Sequence, residues 1–209
     1  MKREKTIVNF ILDKSGSMDN VREATISGFN EYIGTLKNDK ESEYEFTLTL
    51  FDTDVTTPVR SENVRYVSDL SKETYRPDGM TALYDAVCQT IRDIRPGKTQ
   101  KVVSIIMTDG LENSSKEYTH THMRDMIKER EKQGNWKFVY LGANQDSYAN
   151  AATFGIRADS VTNFHATDLG IKNLMRTVAS NTTMYSASAM NNDTAFFTKA
   201  DQESLETTK

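Results

Sequence analysis

The sequence has a single cysteine, Cys88, in 209 residues. That excludes an intramolecular disulfide framework and any zinc site built from several cysteines. No apolar stretch approaches the roughly 18 residues that a bilayer span requires. The N-terminus, Met1-Lys2-Arg3-Glu4-Lys5, is charged. The run behind it, Thr6 to Leu12, is too short for a signal peptide and passes directly into Asp13. A soluble, cytoplasmic protein is expected. Basic charge is also in deficit, with 26 Lys and Arg against 30 Asp and Glu and a net charge of -4. There is no basic stripe, the electrostatic footprint of most nucleic-acid binders, so neither nucleic acid nor membrane is expected as a partner. Apolar residues are modest at 37%, but they are bunched into short runs that can supply one core. The length fits one large domain.

Short β-rich runs alternate with helical periods, the pattern of an α/β domain with a mostly parallel sheet. Thr6–Leu12 reads as a strand buried on both faces. Residues 20–36 place Val21, Ala24, Thr25, Gly28, Phe29, Tyr32, Ile33 and Leu36 at helical spacing, with Asp19 or Asn20 as the cap. Tyr44–Phe51 and Val55–Arg60 read as a hairpin whose second member is an edge strand, a place where Pro58 is tolerated. Periodicity fades over 61–80, which reads as irregular loop with one short helical turn. A helix follows over 81–95, carrying Leu83, Val87, Ile91 and Ile94, and Pro96-Gly97 stops it. Lys101–Thr108 is the second strongly buried strand. Helices at 122–133, 146–154 and 167–180, with strands at 136–141 and 159–164, complete the pattern; the last helix carries Leu169, Leu174 and Val178. The expected architecture is a single Rossmann-like, three-layer αβα domain over residues 1–180. Its central sheet is mostly parallel, with one antiparallel edge strand. Residues 181–209 form a polar extension containing Phe196 and Phe197, either a frayed end or a docking segment.

The chemistry gathers at strand ends. Asp13-Lys14-Ser15-Gly16-Ser17 lies where the first buried strand gives way to the first helix. In open parallel sheets, ligands bind beyond the carboxyl ends of the strands. Asp78-Gly79-Met80-Thr81 precedes the second long helix, and Thr108-Asp109-Gly110 follows the second buried strand. Asp13, Ser15, Ser17, Thr81 and Asp109 are all hard oxygen donors, a set that suits Mg²⁺, with Mn²⁺ or Ca²⁺ next, over zinc or copper. Two carboxylates at most neutralise a divalent ion, and three neutral hydroxyls add no charge. An anionic oxygen from outside could then complete the shell. Taken alone, Asp-x-Ser-x-Ser is as easily a helix cap; three such signals at three strand ends are harder to dismiss.

These residues resemble the metal-ion-dependent adhesion site of the von Willebrand factor A domain, written D-x-S-x-S, then T, then D. All five positions are filled without substitution, and the order of strands and helices agrees from about residue 5 to 180. The resemblance implies that Ser15, Ser17 and Thr81 meet the metal directly, and Asp13 and Asp109 directly or through water. It implies recruitment of an Asp or Glu carboxylate of a partner protein, with direct Thr81 contact accompanying binding. Within the family the chain is most similar to small stand-alone intracellular proteins of bacteria and phages.

Other polar residues have plainer readings. Asp52 and Asp54 are either turn residues or a second rank behind the site, and Asp78 is similar. His120, His122 and His165 lack the spacing of a zinc site and read as surface caps or turns. Cys88, Met107, Met123 and Met126 read as packing residues, and Glu129-Arg130-Glu131-Lys132 as a solvated helix face. The expected function is a non-enzymatic, metal-dependent protein-interaction module. One alternative is a Mg²⁺-dependent phosphatase or phosphoryl-transfer enzyme using Asp13. Against it, the position two residues on, where a general acid would stand, is Ser15, and no Walker-type loop is present. The other alternative is a structural subunit whose metal only stabilises the fold.

Overall fold

In β1 (Lys5–Asp13) every residue but the first is buried. Its two faces serve two cores, Val8, Phe10 and Leu12 on one side and Ile7 and Ile11 on the other. Asn9 has the parity of Ile7 and Ile11, and its amide donates to Ser104 Oγ at 2.9 Å. The chain, described in a computed structural model over residues 5–97, 99–143, 146–189 and 194–207, continues through α1 (Arg22–Asn38), β2 (Glu43–Phe51), β3 (Val55–Asn63), α2 (Leu83–Arg92) and β4 (Val102–Thr108). It then forms α3 (His120–Glu131), β5 (Trp136–Ala143), α4 (Ser147–Phe154), β6 (Val161–Phe164), α5 (Asp168–Ala187) and α6 (Lys199–Thr207). Met1–Glu4 of the charged N-terminus and residues 190–193 and 208–209 of the expected extension lie outside the described residues.

The six strands lie in the order β3-β2-β1-β4-β5-β6. All neighbours are parallel except β2 and β3, so the expected antiparallel edge strand is present. Pro58 lies within that edge strand, on which one row of backbone donors needs no partner. Helices α1 and α5 cover one face of the sheet, and α2, α3 and α4 cover the other. This is an α/β, Rossmann-like, three-layer fold. The strand order reverses on either side of β1, which opens a crevice beyond the carboxyl ends of β1 and β4.

Four local expectations need correction. Neither Asp19 nor Asn20 caps the first helix: Gly16–Val21 is a 3₁₀ turn leading into α1, and the residue before Arg22 is Val21, which makes no side-chain cap. Backbone bonds such as Met18 N to Ser15 O, 3.0 Å, do part of the work a cap would do. Leu169 is 53% exposed, because the buried stripe of α5 runs through Ile171, Leu174, Met175 and Val178, and position 169 is two residues out of phase with it. That helix also runs on to Ala187, not 180. Its Ser/Thr/Asn-rich end is weak in helix propensity, but Asn181, Thr182 and Tyr185 are buried, and packing overrides the preference. Finally, the face of α3 at residues 129–132 is not wholly solvated, since the Arg130 guanidinium lies 5.2 Å from the Trp136 ring centroid.

Phe196 and Phe197 are buried in the same core as α1 and α5. Their backbone N–H groups donate to Asp159 O at 3.1 and 2.8 Å, and the Lys137 ammonium donates to Thr194 O at 3.0 Å. Both rings thus pack against the domain.

Candidate metal centre

Asp13 is the last residue of β1 and is fully buried. Its Oδ1 accepts from Ser15 N at 2.6 Å, and its Oδ2 accepts from Thr108 Oγ1, also at 2.6 Å. The Thr108 hydroxyl in turn accepts from Gly110 N at 3.1 Å. Ser15 Oγ lies 3.2 Å from Ser17 Oγ, and Ser17 Oγ donates to Asp109 Oδ1 at 2.6 Å. Thr81 joins them beside Gly110. A methyl group placed on Gly110 would stand 3.1 Å from Thr81 Oγ1 and 3.9 Å from both Asp13 Oδ2 and Ser17 Oγ. The five side chains named from the sequence therefore converge, and the missing side chain of Gly110 leaves room among them. Asp13, Ser15 and Thr81 are buried, Asp109 is partly exposed and Ser17 is exposed. The cluster is closed below and open above.

The three loops are laced together. Asp78 N donates to Lys14 O at 2.8 Å, and Gly16 N donates to Gly79 O at 3.2 Å. Gly79 has φ +70°, the left-handed region, and a side chain there would also meet Thr53 Oγ1 at 2.6 Å, so glycine is required twice over. Asn113 clasps Thr81 from both sides: its Oδ1 accepts from Thr81 N at 2.8 Å, and its own N–H donates to Thr81 O at 3.0 Å. Thr81 and Asp109 are thus carried on loops joined by Asn113. Below them, the buried Asp85 accepts from the N–H groups of Lys116, Glu117 and Tyr118. The Glu112 carboxylate accepts from Tyr84 N at 3.0 Å at the start of α2. Tyr75, buried within the irregular segment, donates its hydroxyl to Asp13 O at 2.6 Å.

The electrostatics follow from that burial. Desolvation pushes the Asp13 carboxyl up to about 6, against the pull of hydrogen bonds from Thr108 and Ser15. Burial raises Asp109 as well, opposed by the hydrogen bond from Ser17. Among the described residues neither carboxyl is in an ion pair. Two carboxyls at one cluster with no cation partner are costly to ionise, and a bound divalent ion would reverse that cost. The donors, all oxygen, suit a hard cation. Among the described residues no three His, Cys, Asp or Glu side chains group as a metal site; the cluster holds only two carboxylates and relies on hydroxyls.

The plainer readings fare variously. Asp52 does not reach the cluster: its carboxylate pairs with Lys14 and accepts from Asp54 N, as a turn residue does. Asp78 is exposed and accepts from Gly79 N at 2.7 Å. His122 joins Thr119 in a capping box at the start of α3, His120 packs edge-on against Tyr84, and His165 is 2.8 Å from Glu206 O. Sequence reasoning missed the roles of Thr108, Asn113, Asp85, Glu112 and Tyr75. Only Thr108 was within reach, because it sits inside the motif that supplies Asp109.

No family model matches the chain, and no curated protein matches it. Solved structures do. Proximal thread matrix protein 1 of the mussel byssus, with a zinc-occupied MIDAS motif, superposes with a TM-score of 0.62 at 14% identity, over 85% of this chain and 45% of that one. A von Willebrand factor type A protein from Catenulispora acidiphila gives 0.56 at 15%, over 88% and 43%. Manganese-loaded TRAP of Plasmodium vivax gives 0.55 at 20%, over 78% and 69%. The chain spans less than half the length of the first two. At these identities the likeness is one of fold, and the fold is that of the von Willebrand factor A domain.

Proposed function

We propose that this protein is a metal-dependent protein-interaction module. Asp13, Ser15, Ser17, Thr81 and Asp109 would hold a divalent ion, Mg²⁺ in the first instance, directly or through water. When bound, that ion supplies an electrophilic position for an external carboxylate. The observation that carries this function is the convergence of Thr81 Oγ1, Asp13 Oδ2 and Ser17 Oγ around the space left by Gly110, with Ser15 Oγ and Asp109 Oδ1 against Ser17 Oγ, at the open end of the β1/β4 crevice. The metals of the mussel and Plasmodium structures support a divalent ion at this place in the fold. The surroundings support a protein carboxylate over a small soluble anion. Met80 and Leu111 are 50% and 60% exposed; Met80 adjoins Thr81, and Leu111 stands two positions after Asp109. Exposed large apolar side chains beside a polar site are the composition of a protein-binding surface.

An enzyme reading asks more of the residues. Hydrolysis with Asp13 as nucleophile needs a proton donor for the leaving group, and the hydroxyl at position 15 is a poor one.

The test is a titration of the ¹⁵N-labelled protein with N-acetyl-aspartate N-methylamide in Mg²⁺ and in chelator. The expected result is Mg²⁺-dependent shifts at residues 13–17, 80–82 and 109–113. Shifts elsewhere, or equal binding in chelator, would contradict the function. Metal-dependent hydrolysis of p-nitrophenyl phosphate that disappears in Asp13→Asn would favour the enzyme instead.

A further inference from the structure

Gly110 borders the oxygen cluster and also lines a second cavity, of about 230 Å³, between the start of α2, the loop after β4 and α4. That volume is below the about 300–1,000 Å³ of sites built for whole ligands, and it suits one side chain. One part of its wall is aromatic, and Glu112, Asn150 and Thr153 line the rest with polar groups. Tyr84, His120 and Phe154 form a mutually packed trio, with centroids 5.9 Å (Tyr84–His120), 6.1 Å (Tyr84–Phe154) and 5.3 Å (His120–Phe154) apart. Tyr140 backs Phe154 at 6.1 Å, and the exposed Leu111 stands among the lining residues.

We infer that this cavity receives an aromatic side chain of the partner, next in sequence to the acidic residue that binds at the metal centre. The inference rests on the proposed function and specifies its partner: a segment in which Asp or Glu adjoins Phe, Tyr or Trp. Continuity argues for one partner segment spanning both, since the metal cluster and the cavity share Gly110. The lining argues for a ring, because edge-to-face packing against an aromatic trio rewards an aromatic occupant beyond the area it buries. Leu111 would fold over the inserted ring, which accounts for a large apolar residue held in solvent at this point.

The experiment uses the full chain in Mg²⁺ and measures the affinities of Ac-Asp-Phe-NH₂ and Ac-Phe-Asp-NH₂ against Ac-Asp-Ala-NH₂ and Ac-Ala-Asp-NH₂, with Ac-Asp-Leu-NH₂ and Ac-Leu-Asp-NH₂ as size controls. In one residue order the Phe peptide should bind about tenfold tighter than its Ala counterpart, a difference of about 1.4 kcal/mol, and tighter than the Leu peptide. Thr153→Trp, on the exposed surface of α4 at the cavity wall, should fill the space. It should erase the Phe preference while leaving the alanine peptides and the Mg²⁺-induced thermal shift unchanged. Mg²⁺-dependent binding of the alanine peptides with no gain from Phe, or with equal gains from Phe and Leu, would overturn the aromatic subsite and leave the metal-dependent function standing. No Mg²⁺-dependent binding of any peptide would overturn both.

Discussion

The two ends of the sheet bury opposite charges and treat them differently. At the amino-terminal end, Lys101 and Lys137 are 4% and 1% exposed. The Lys101 ammonium donates to Tyr185 O and Ser186 O at 2.7 and 3.0 Å and also to Ser188 O, the carbonyls that end α5, where the helix dipole is negative. Lys137 reaches Thr194 O in the same C-terminal segment. At the carboxyl-terminal end, Asp13 is equally buried, but its partners are hydroxyls and one amide, and its carboxyl is raised, not settled. The chain supplies the counter-groups for its buried lysines and, through three backbone N–H groups, for the buried Asp85, but among the described residues it places no cation beside Asp13. The first arrangement holds the fold together; under the proposed function, the second gives up stability at the place where a metal would bind.

If the amino-terminal end is purely structural, damage there should be large and indifferent to metal. Phe197→Ala removes a buried ring of the docked segment, and a loss of about 3–5 kcal/mol is expected. Urea unfolding with and without Mg²⁺ should show the same metal increment as the wild type.

The carboxyl-terminal end should respond to pH in a way the other does not. Asp13 has its folded pKa raised from 3.8 to about 6. Well below pH 3.8 the group is protonated in both folded and unfolded states. Between 4 and 6 the unfolded chain ionises first, so metal-free stability falls by about 3 kcal/mol across that window and stays low above it. Asp109, also raised, acts in the same direction. Metal binding requires the ionised carboxylates, so the Mg²⁺ increment should be small at pH 4.5 and full above 6.5. Melting curves across pH 4.5–7.5, in chelator and in Mg²⁺, check both limbs, and Asp13→Asn should flatten the first.

The smallest expected effect is Thr81→Ala. The fold should persist and metal affinity should weaken only modestly, while Mg²⁺-dependent binding of acidic peptides should be largely lost. Because Asn113 fixes the Thr81 backbone, the mutation removes the hydroxyl without releasing the loop. Peptide binding at wild-type strength would put the contact elsewhere.

Much of this contrast is legible in the sequence at one end and hidden at the other. β1 and β4 announce themselves as apolar runs interrupted in the middle only by Asn9 and Ser104, and the oxygen donors stand at short spacings where those strands stop. Tyr75 and Asn113 give no such signal. Tyr75 acts through one long-range hydrogen bond, to Asp13 O, and Asn113 through two, from Thr81 N and to Thr81 O, each from a segment with no period of its own. The docked tail is hidden for a related reason: Phe196-Phe197 is too short to show periodicity, and its partner, Asp159 O, is a backbone atom. The length of α5 is hidden because its last turns are side chains weak in helix propensity that are nonetheless buried.

The most direct measurement compares thermal unfolding at pH 7.5 in chelator and in saturating Mg²⁺ for the wild type and for Ser15→Ala/Ser17→Ala. A ligand at about one hundred times its Kd adds about 2.7 kcal/mol, which for a domain of this size is a rise of about 5–10 °C. The wild type should show that rise, and the double variant should stay folded and show none. A wild type that does not respond, or a double variant that responds equally, would contradict a metal centre built on these hydroxyls.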